Sequence, residues 1–307
     1  MRNELCRELV ARADNPDMVF LTGDLGFMAL EPLQEAMQAR FINCGVAEQN
    51  MISVAAALSS EGLEAWTYTI APFCYARALE QIRNDVCLHA LPVKMLANGG
   101  GYGYGVMGPT HHALEDYGIL LTLPNLRVLV PAFAEDVEAC VVRAGDATEA
   151  VYLRLGQGEL PKGQKAPPYA PWRRLMDGDA GVMIVVGPLA GSSWQALLTL
   201  DEETRPALWV VTELPLDANP PPPELLQALA RTKRLAIVEE HVAQGSFGQS
   251  FGALLLEHGI PVNVFRHLYA KGYPSGTYGS QAFLRRCSGL GPLGIIEAAS
   301  ALAIGLC

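Results

Sequence analysis

Three groups of side chains in this sequence are spaced in a way that serves chemistry. An acid, Glu48, opens an apolar helical stretch directly after a strand and a glycine turn, in Asn43-Cys-Gly-Val-Ala-Glu-Gln-Asn50. Two histidines and two acids follow a glycine-rich loop, in Gly108-Pro-Thr-His-His-Ala-Leu-Glu-Asp116. An arginine stands between apolar neighbours in Tyr152-Leu-Arg-Leu155. A carboxyl group in apolar surroundings keeps its proton toward neutral pH and can donate a hydrogen bond. The helix behind Glu48 offers such surroundings through Met51, Ile52, Val54 and Ala55. An imidazole moves protons to and from substrate oxygens near neutrality, and a guanidinium grips phosphate or carboxylate with paired hydrogen bonds. Taken alone, Glu48 is equally an acid well placed in a helix's first turn.

His111, His112 and Glu115 do not read as a metal site. Adjacent histidines project poorly toward a common ion, and no third His or Cys stands at ligand spacing. Gly103-x-Gly105-x-x-Gly108 fits a dinucleotide fingerprint. Yet Pro109-Thr-His-His follows where a helix should begin, and no acid closes a following strand at the required distance. The glycines of Gly99–Gly105 instead let backbone approach the mouth of a site.

These residues need a scaffold, and short apolar runs alternate with helical stretches to provide one. Strands are expected at Met18–Thr22, Phe41–Asn43, Ala65–Thr69, Val93–Asn98, Leu126–Pro131 and Val151–Leu155, with helices at Glu48–Ser60, Phe73–Val86 and Glu135–Arg143. Continuous apolar strands between helices predict a parallel sheet covered on both faces. Pro161, Pro167, Pro168 and Pro171 then interrupt the pattern within Gly156–Gly178. A second α/β pattern follows, with strands at Val182–Val186, Leu208–Thr212, Leu235–Glu239 and Val262–Phe265, and the prolines Pro220–Pro223 feeding a helix Glu224–Ala230. The expected organisation is two consecutive α/β domains, 1–160 and 179–307, joined by a linker over 161–178.

Composition narrows the class. The chain has 307 residues, 50% of them apolar, and a net charge of −10. No basic block appears, which argues against nucleic-acid binding. The cysteines Cys6, Cys44, Cys74, Cys87, Cys140, Cys287 and Cys307 are odd in number and scattered, without a Cys-x-x-Cys. They outline neither a disulfide framework nor a zinc site, and charged or turn residues break every long apolar run. A cytoplasmic protein that binds no membrane is expected.

Four segments together carry a resemblance: Leu21-Thr-Gly-Asp-Leu25, the Asn43–Asn50 segment, Thr67-Tyr-Thr-Ile-Ala-Pro-Phe73 running into Glu80-Gln-Ile-Arg-Asn-Asp85, and the Gly108–Asp116 segment. In this order they resemble the pyrimidine-binding domain of transketolases over roughly residues 20–155. The second half is similar to the transketolase C-terminal domain mainly through Val238-Glu-Glu-His241 and Gly245-Ser-Phe-Gly248. The resemblance implies a thiamine-diphosphate enzyme. In it the carboxyl of Glu48 activates the aminopyrimidine by hydrogen-bonding a ring nitrogen, so that the cofactor's own amino group takes the thiazolium proton. It further implies that Phe73 packs on the aminopyrimidine, with Ile70 as an apolar wall where the family commonly has a second Phe. Asp24 and Leu25 would flank the cofactor, His111 would serve as proton shuttle and donor contact, and Arg154 would grip the acceptor's phosphate. Glu239, Glu240 and His241 would be structural or interface residues.

No Gly-Asp-Gly motif with a later Asn is present, so the diphosphate and Mg²⁺ are expected from an N-terminal partner subunit, in an α2β2 assembly like that of split transketolases. The family's histidine position before the Gly-Pro-Thr-His segment is Gly99 here, and the acidic pair preceding that segment is Val106-Met107. This points to an unusual or modified sugar substrate. The implied reaction moves a two-carbon ketol unit from a ketose or ketose phosphate to an aldose. Three alternatives stand beside it: the beta chain of a thiamine-dependent 2-oxo acid dehydrogenase, a non-catalytic regulatory subunit, and a nicotinamide dehydrogenase.

Overall fold

The computed structural model describes residues 1–273 and 276–305; Cys307 lies outside them. Among these residues twelve strands run in chain order: β1 Met18–Thr22, β2 Phe41–Asn43, β3 Glu64–Ile70, β4 Lys94–Asn98, β5 Leu126–Leu129, β6 Ala150–Leu155, β7 Trp172–Asp179, β8 Val182–Val186, β9 Pro206–Val211, β10 Glu213–Leu214, β11 Arg234–Val238 and β12 Val264–Leu268. They form two sheets, ordered β10-β5-β6-β4-β3-β1-β2 and β12-β11-β8-β9-β7. β1 to β6 pair in parallel, as do β8, β9, β11 and β12. This is the α/β architecture that the apolar runs imply, because strands covered on both faces need no polar alternation. Every residue of β1, β6, β8 and β9 is buried.

Helices Arg2–Arg12, Glu31–Met37 and Val137–Asp146 close one face of the first sheet, packing Leu5, Leu9, Leu33 and Val137 on Phe20, Trp66 and Leu96. On the other face Met51, Ile52 and Ala55 of helix Glu48–Ser60 join a core that runs without a break into Ile184, Trp209 and Ile237 of the second sheet. The stretch Gln281–Ile304 has the length and hydropathy of a membrane span. It is two helices, Gln281–Cys287 and Pro292–Ile304, and the second lays Ile295, Ala299 and Leu302 into the second core.

Three differences from expectation have physical causes. Trp172–Asp179, all but its last residue placed in the linker by sequence, is an edge strand antiparallel to β9. Its arginines and acids concealed the buried Leu175 and Met176, and Arg173 forms a bidentate pair with Asp136 of the first half at 2.8 and 2.6 Å. β10 returns to the first sheet and pairs antiparallel with Val128 and Leu129 of β5. The expected helix Phe73–Val86 is broken into Ala71–Tyr75, Leu79–Gln81 and a wider π-type turn, Ile82–Cys87. Across this break, Arg77 pairs with Glu48 and Asp85 accepts from Ser53 at 2.6 Å.

Candidate functional site

The side chains of interest collect where the parallel strands of the first sheet end, the edge at which α/β sheets gather ligands. β1 leads into Gly23-Asp24-Leu25, β2 into the loop before Glu48, β3 into Phe73, and β4 into the glycine loop.

Glu48 is 1% exposed. Its Oε1 accepts from Thr69 Oγ1 at 3.0 Å and its Oε2 from Arg77 Nη1 at 2.5 Å. A Cβ on Gly23 would stand 3.2 Å from Oε1, so a glycine there lets the β1 turn lie against the carboxyl. The acid is enclosed but its surroundings are not purely apolar, since a hydroxyl and a guanidinium face it. Phe73 is half-buried, with Arg77 Cζ 4.2 Å from its ring centroid and the His111 ring edge-on at 5.2 Å. Sequence placed Glu48, Phe73 and His111 together, and so does the structure.

Ile70 ends β3, and Phe73 follows in the next turn. Asp24 has φ +61, a left-handed backbone few residues adopt, and accepts from Asn43 Nδ2 at 2.8 Å, joining the turns after β1 and β2. Leu25 is half-buried, its carbonyl held by Thr22 Oγ1 at 2.9 Å. His111 Nδ1 lies 2.9 Å from Thr110 Oγ1. His112 points elsewhere: it is 1% exposed, edge-on to Tyr102 and stacked with Tyr273 of the second half. Burial pushes its pKa below the usual histidine value.

Position 99 shows why no imidazole stands there. Gly99 has φ +79, and a Cβ on it would be 2.3 Å from the Tyr104 ring. Tyr104 fills that space, accepts from Asn98 Nδ2 at 2.7 Å, and sits 6.2 Å from the His111 ring. Val106 and Met107 lie exposed on the same loop.

Arg154 corrects the sequence reading. It is 3% exposed, and its Nε donates to Asp116 Oδ2 at 2.6 Å. Its Nη2 donates to the carbonyls of Ala113 and Glu240 at 2.9 and 3.0 Å. Burial works against its charge, and Asp116 more than offsets this, holding the guanidinium pKa above its usual range. A guanidinium so enclosed and engaged is a structural tie between the two halves, a setting unlike the open phosphate grip that the resemblance implies. Sequence missed this because an isolated Arg in an apolar strand looks the same whether it faces a ligand or a buried acid.

Glu239, Glu240 and His241 are ties of the same kind. Glu239 accepts from Tyr117 Oη, His267 Nε2 and the amides of Phe247 and Gly248. Burial alone would raise its pKa; the His267 and Tyr117 hydrogen bonds reverse this and hold it below the usual range. Glu240 takes a bidentate pair from Arg285 at 2.9 and 2.7 Å, and His241 stacks on Tyr117 at 4.1 Å.

Arg77, Thr69 and Tyr104 escaped the sequence reading. Only Arg77 carried a signal, a cation one helical turn beyond Phe73. The arrangement fits the aminopyrimidine end of thiamine diphosphate: a buried acid for a ring nitrogen and an aromatic face beside it. For the diphosphate end it offers little. Among the described residues, no three His, Cys, Asp or Glu side chains converge as a metal site requires.

Residues 5–162 match the family described as transketolase, pyrimidine binding domain. A protein of Phocaeicola vulgatus, the B-type subunit of an apulose-4-phosphate transketolase, is 30% identical over 83% of this chain and 82% of its own length. Its namesake from Actinobacillus succinogenes is 27% identical over 96% of both chains. A solved structure described as a split gene transketolase, inactive beta4 tetramer, superposes with a TM-score of 0.83 at 28% identity, over 99% of this chain and 98% of its own.

Proposed function

Because this chain belongs to the transketolase family, we propose that it holds the aminopyrimidine end of thiamine diphosphate and transfers ketol units only beside a diphosphate-binding partner subunit. The observation that carries this is Glu48, fully buried where the first sheet's strands end, with Phe73 beside it and His111 against Phe73. When bound, thiamine diphosphate supplies the carbon nucleophile that receives a two-carbon unit from a ketose and passes it to an aldose.

This chain's residues do the rest. Glu48 donates a hydrogen bond to a ring nitrogen, kept in place by Thr69 and the close Gly23 backbone. Phe73 offers its face to the ring, Ile70 the apolar wall, and Asp24 and Leu25 the flanking turn. His111 holds or returns a proton at a substrate oxygen. Mg²⁺ and its ligands belong to the partner in this reading, as does an α2β2 assembly with two-fold symmetry. Six unpaired cysteines among the described residues suit the reducing cytoplasm.

Two relatives are named for apulose-4-phosphate, and we propose an unusual sugar phosphate of that kind as substrate. Tyr104 in the space of an imidazole supports it, as does the apolar Val106-Met107. With Arg154 enclosed, the substrate's phosphate is held by other groups, the partner's among them. Calorimetric titration of thiamine diphosphate and Mg²⁺ into this chain, alone and with the partner, tests the reading. Binding only in the mixture supports it, and binding in neither refutes it. Equal turnover of ordinary pentose phosphates at housekeeping rates would remove the unusual substrate.

A further inference from the structure

We propose that Arg77 is a placeholder for the aminopyrimidine ring, keeping the cofactor seat closed and charge-balanced until the cofactor displaces it. The inference rests on the thiamine reading above. Arg77 Nη1 donates to Glu48 Oε2, and Arg77 Cζ lies 4.2 Å from the Phe73 ring centroid. These are the two contacts that the reading gives to the aminopyrimidine: a hydrogen bond at Glu48 and stacking on Phe73.

A guanidinium imitates that ring well. It is planar, carries N–H donors along its edge, and stacks on aromatic faces. It also has freedom to leave. The Arg77 side chain is 39% exposed, and Glu48 is its only hydrogen-bond partner among the described residues. Glu48 itself remains fixed when Arg77 goes, since Thr69 still donates to Oε1 at 3.0 Å.

The exchange changes protonation. With Arg77, Glu48 accepts as a carboxylate; to donate to a ring nitrogen it must carry a proton. Displacing Arg77 therefore couples cofactor binding to uptake of one proton from solvent onto a Glu48 carboxylate oxygen, while Arg77 leaves with its charge. Without Arg77, a fully buried carboxyl is left, among the described residues, with no cation beside it and Thr69 as its remaining partner.

The test is calorimetry on the complex with the diphosphate-binding subunit, titrating thiamine diphosphate and Mg²⁺ in buffers of different ionisation enthalpy. Wild type is expected to take up close to one proton per cofactor. Arg77→Ala is expected to bind about tenfold more tightly, as when a state holding nine molecules in ten is removed. Arg77→Gln, which keeps a donor without the charge, should fall between and guards against an unfolded Ala variant. Weaker or unchanged affinity in both variants overturns the placeholder and leaves Arg77 a contact that stays with the bound cofactor. Failure of the wild-type complex to bind the cofactor would instead bring down the thiamine reading, and this proposal with it.

Discussion

Replacing Arg154 by Met separates a structural arginine from a substrate-binding one. The change removes a hydrogen bond of 2.6 Å to Asp116 and two to main-chain carbonyls of different halves. Asp116 is 0% exposed, and among the described residues only the Tyr152 hydroxyl at 3.0 Å remains on its carboxylate. Breaking one side of such a buried pair costs about 3–5 kcal/mol, because a charge is left in a medium that cannot solvate it. At roughly 2–4 °C per kcal/mol for a chain of this size class, the melting temperature should fall by roughly 6–20 °C. Adding Asp116→Asn should recover much of the loss, since neutral groups replace both charges. The assay is thermal or urea unfolding of the two variants beside the KM for a phosphorylated acceptor in the reconstituted enzyme. An Arg154→Met protein that melts like wild type, with its acceptor KM raised about a hundredfold, would refute the reasoning and return Arg154 to the substrate.

Glu48→Gln should leave the fold intact and lower kcat by about a thousandfold or more, the scale of losing a hydrogen bond that matters in the transition state; a fully active variant would end its assignment. Tyr104→Phe removes the hydroxyl that accepts from Asn98, on a ring 6.2 Å from that of His111, and should raise the sugar KM severalfold at unchanged thiamine diphosphate affinity, both read in one set of saturation curves. His112 binds its proton less readily folded than unfolded, so its neutral form's stability is fully present above the unfolded value of 6.5 and is lost as pH falls below it. Melting temperature should therefore drop on acidification through that range, and His112→Phe should flatten this part of the profile.

Much of the scaffold was legible because apolar strands between helices have one economical arrangement. Met18–Thr22, Phe41–Asn43 and Val182–Val186 match the observed strands end to end. The site was legible in part for a related reason: Glu48, Phe73 and His111 follow strand ends, and strand ends in a parallel sheet meet at one edge. What stayed hidden depends on partners far along the chain. Arg77 reads as a surface cation until Glu48 is seen beside it, and Arg154 as a ligand grip until Asp116 is. Tyr104 gives no local hint that it fills the place of a side chain absent at Gly99. The strand Glu213–Leu214 is too short to show any period, so only the waiting edge of β5 reveals it.

That two-residue strand has a consequence for biosynthesis. The first sheet leaves the ribosome nearly whole once residue 155 emerges, but its β5 edge stays uncovered until residue 214 follows. Val130 also waits that long, since its amide donates to Thr212 O at 2.7 Å. At typical translation speeds the gap is roughly 3–12 s, long beside the microseconds in which a hairpin forms. During those seconds a nascent chain presents an apolar strand with one edge unpaired to its neighbours on the same polysome. Crowded translation should therefore favour edge-to-edge association of unfinished chains, and a slower or chaperoned passage through residues 156–214 should raise the yield of native protein.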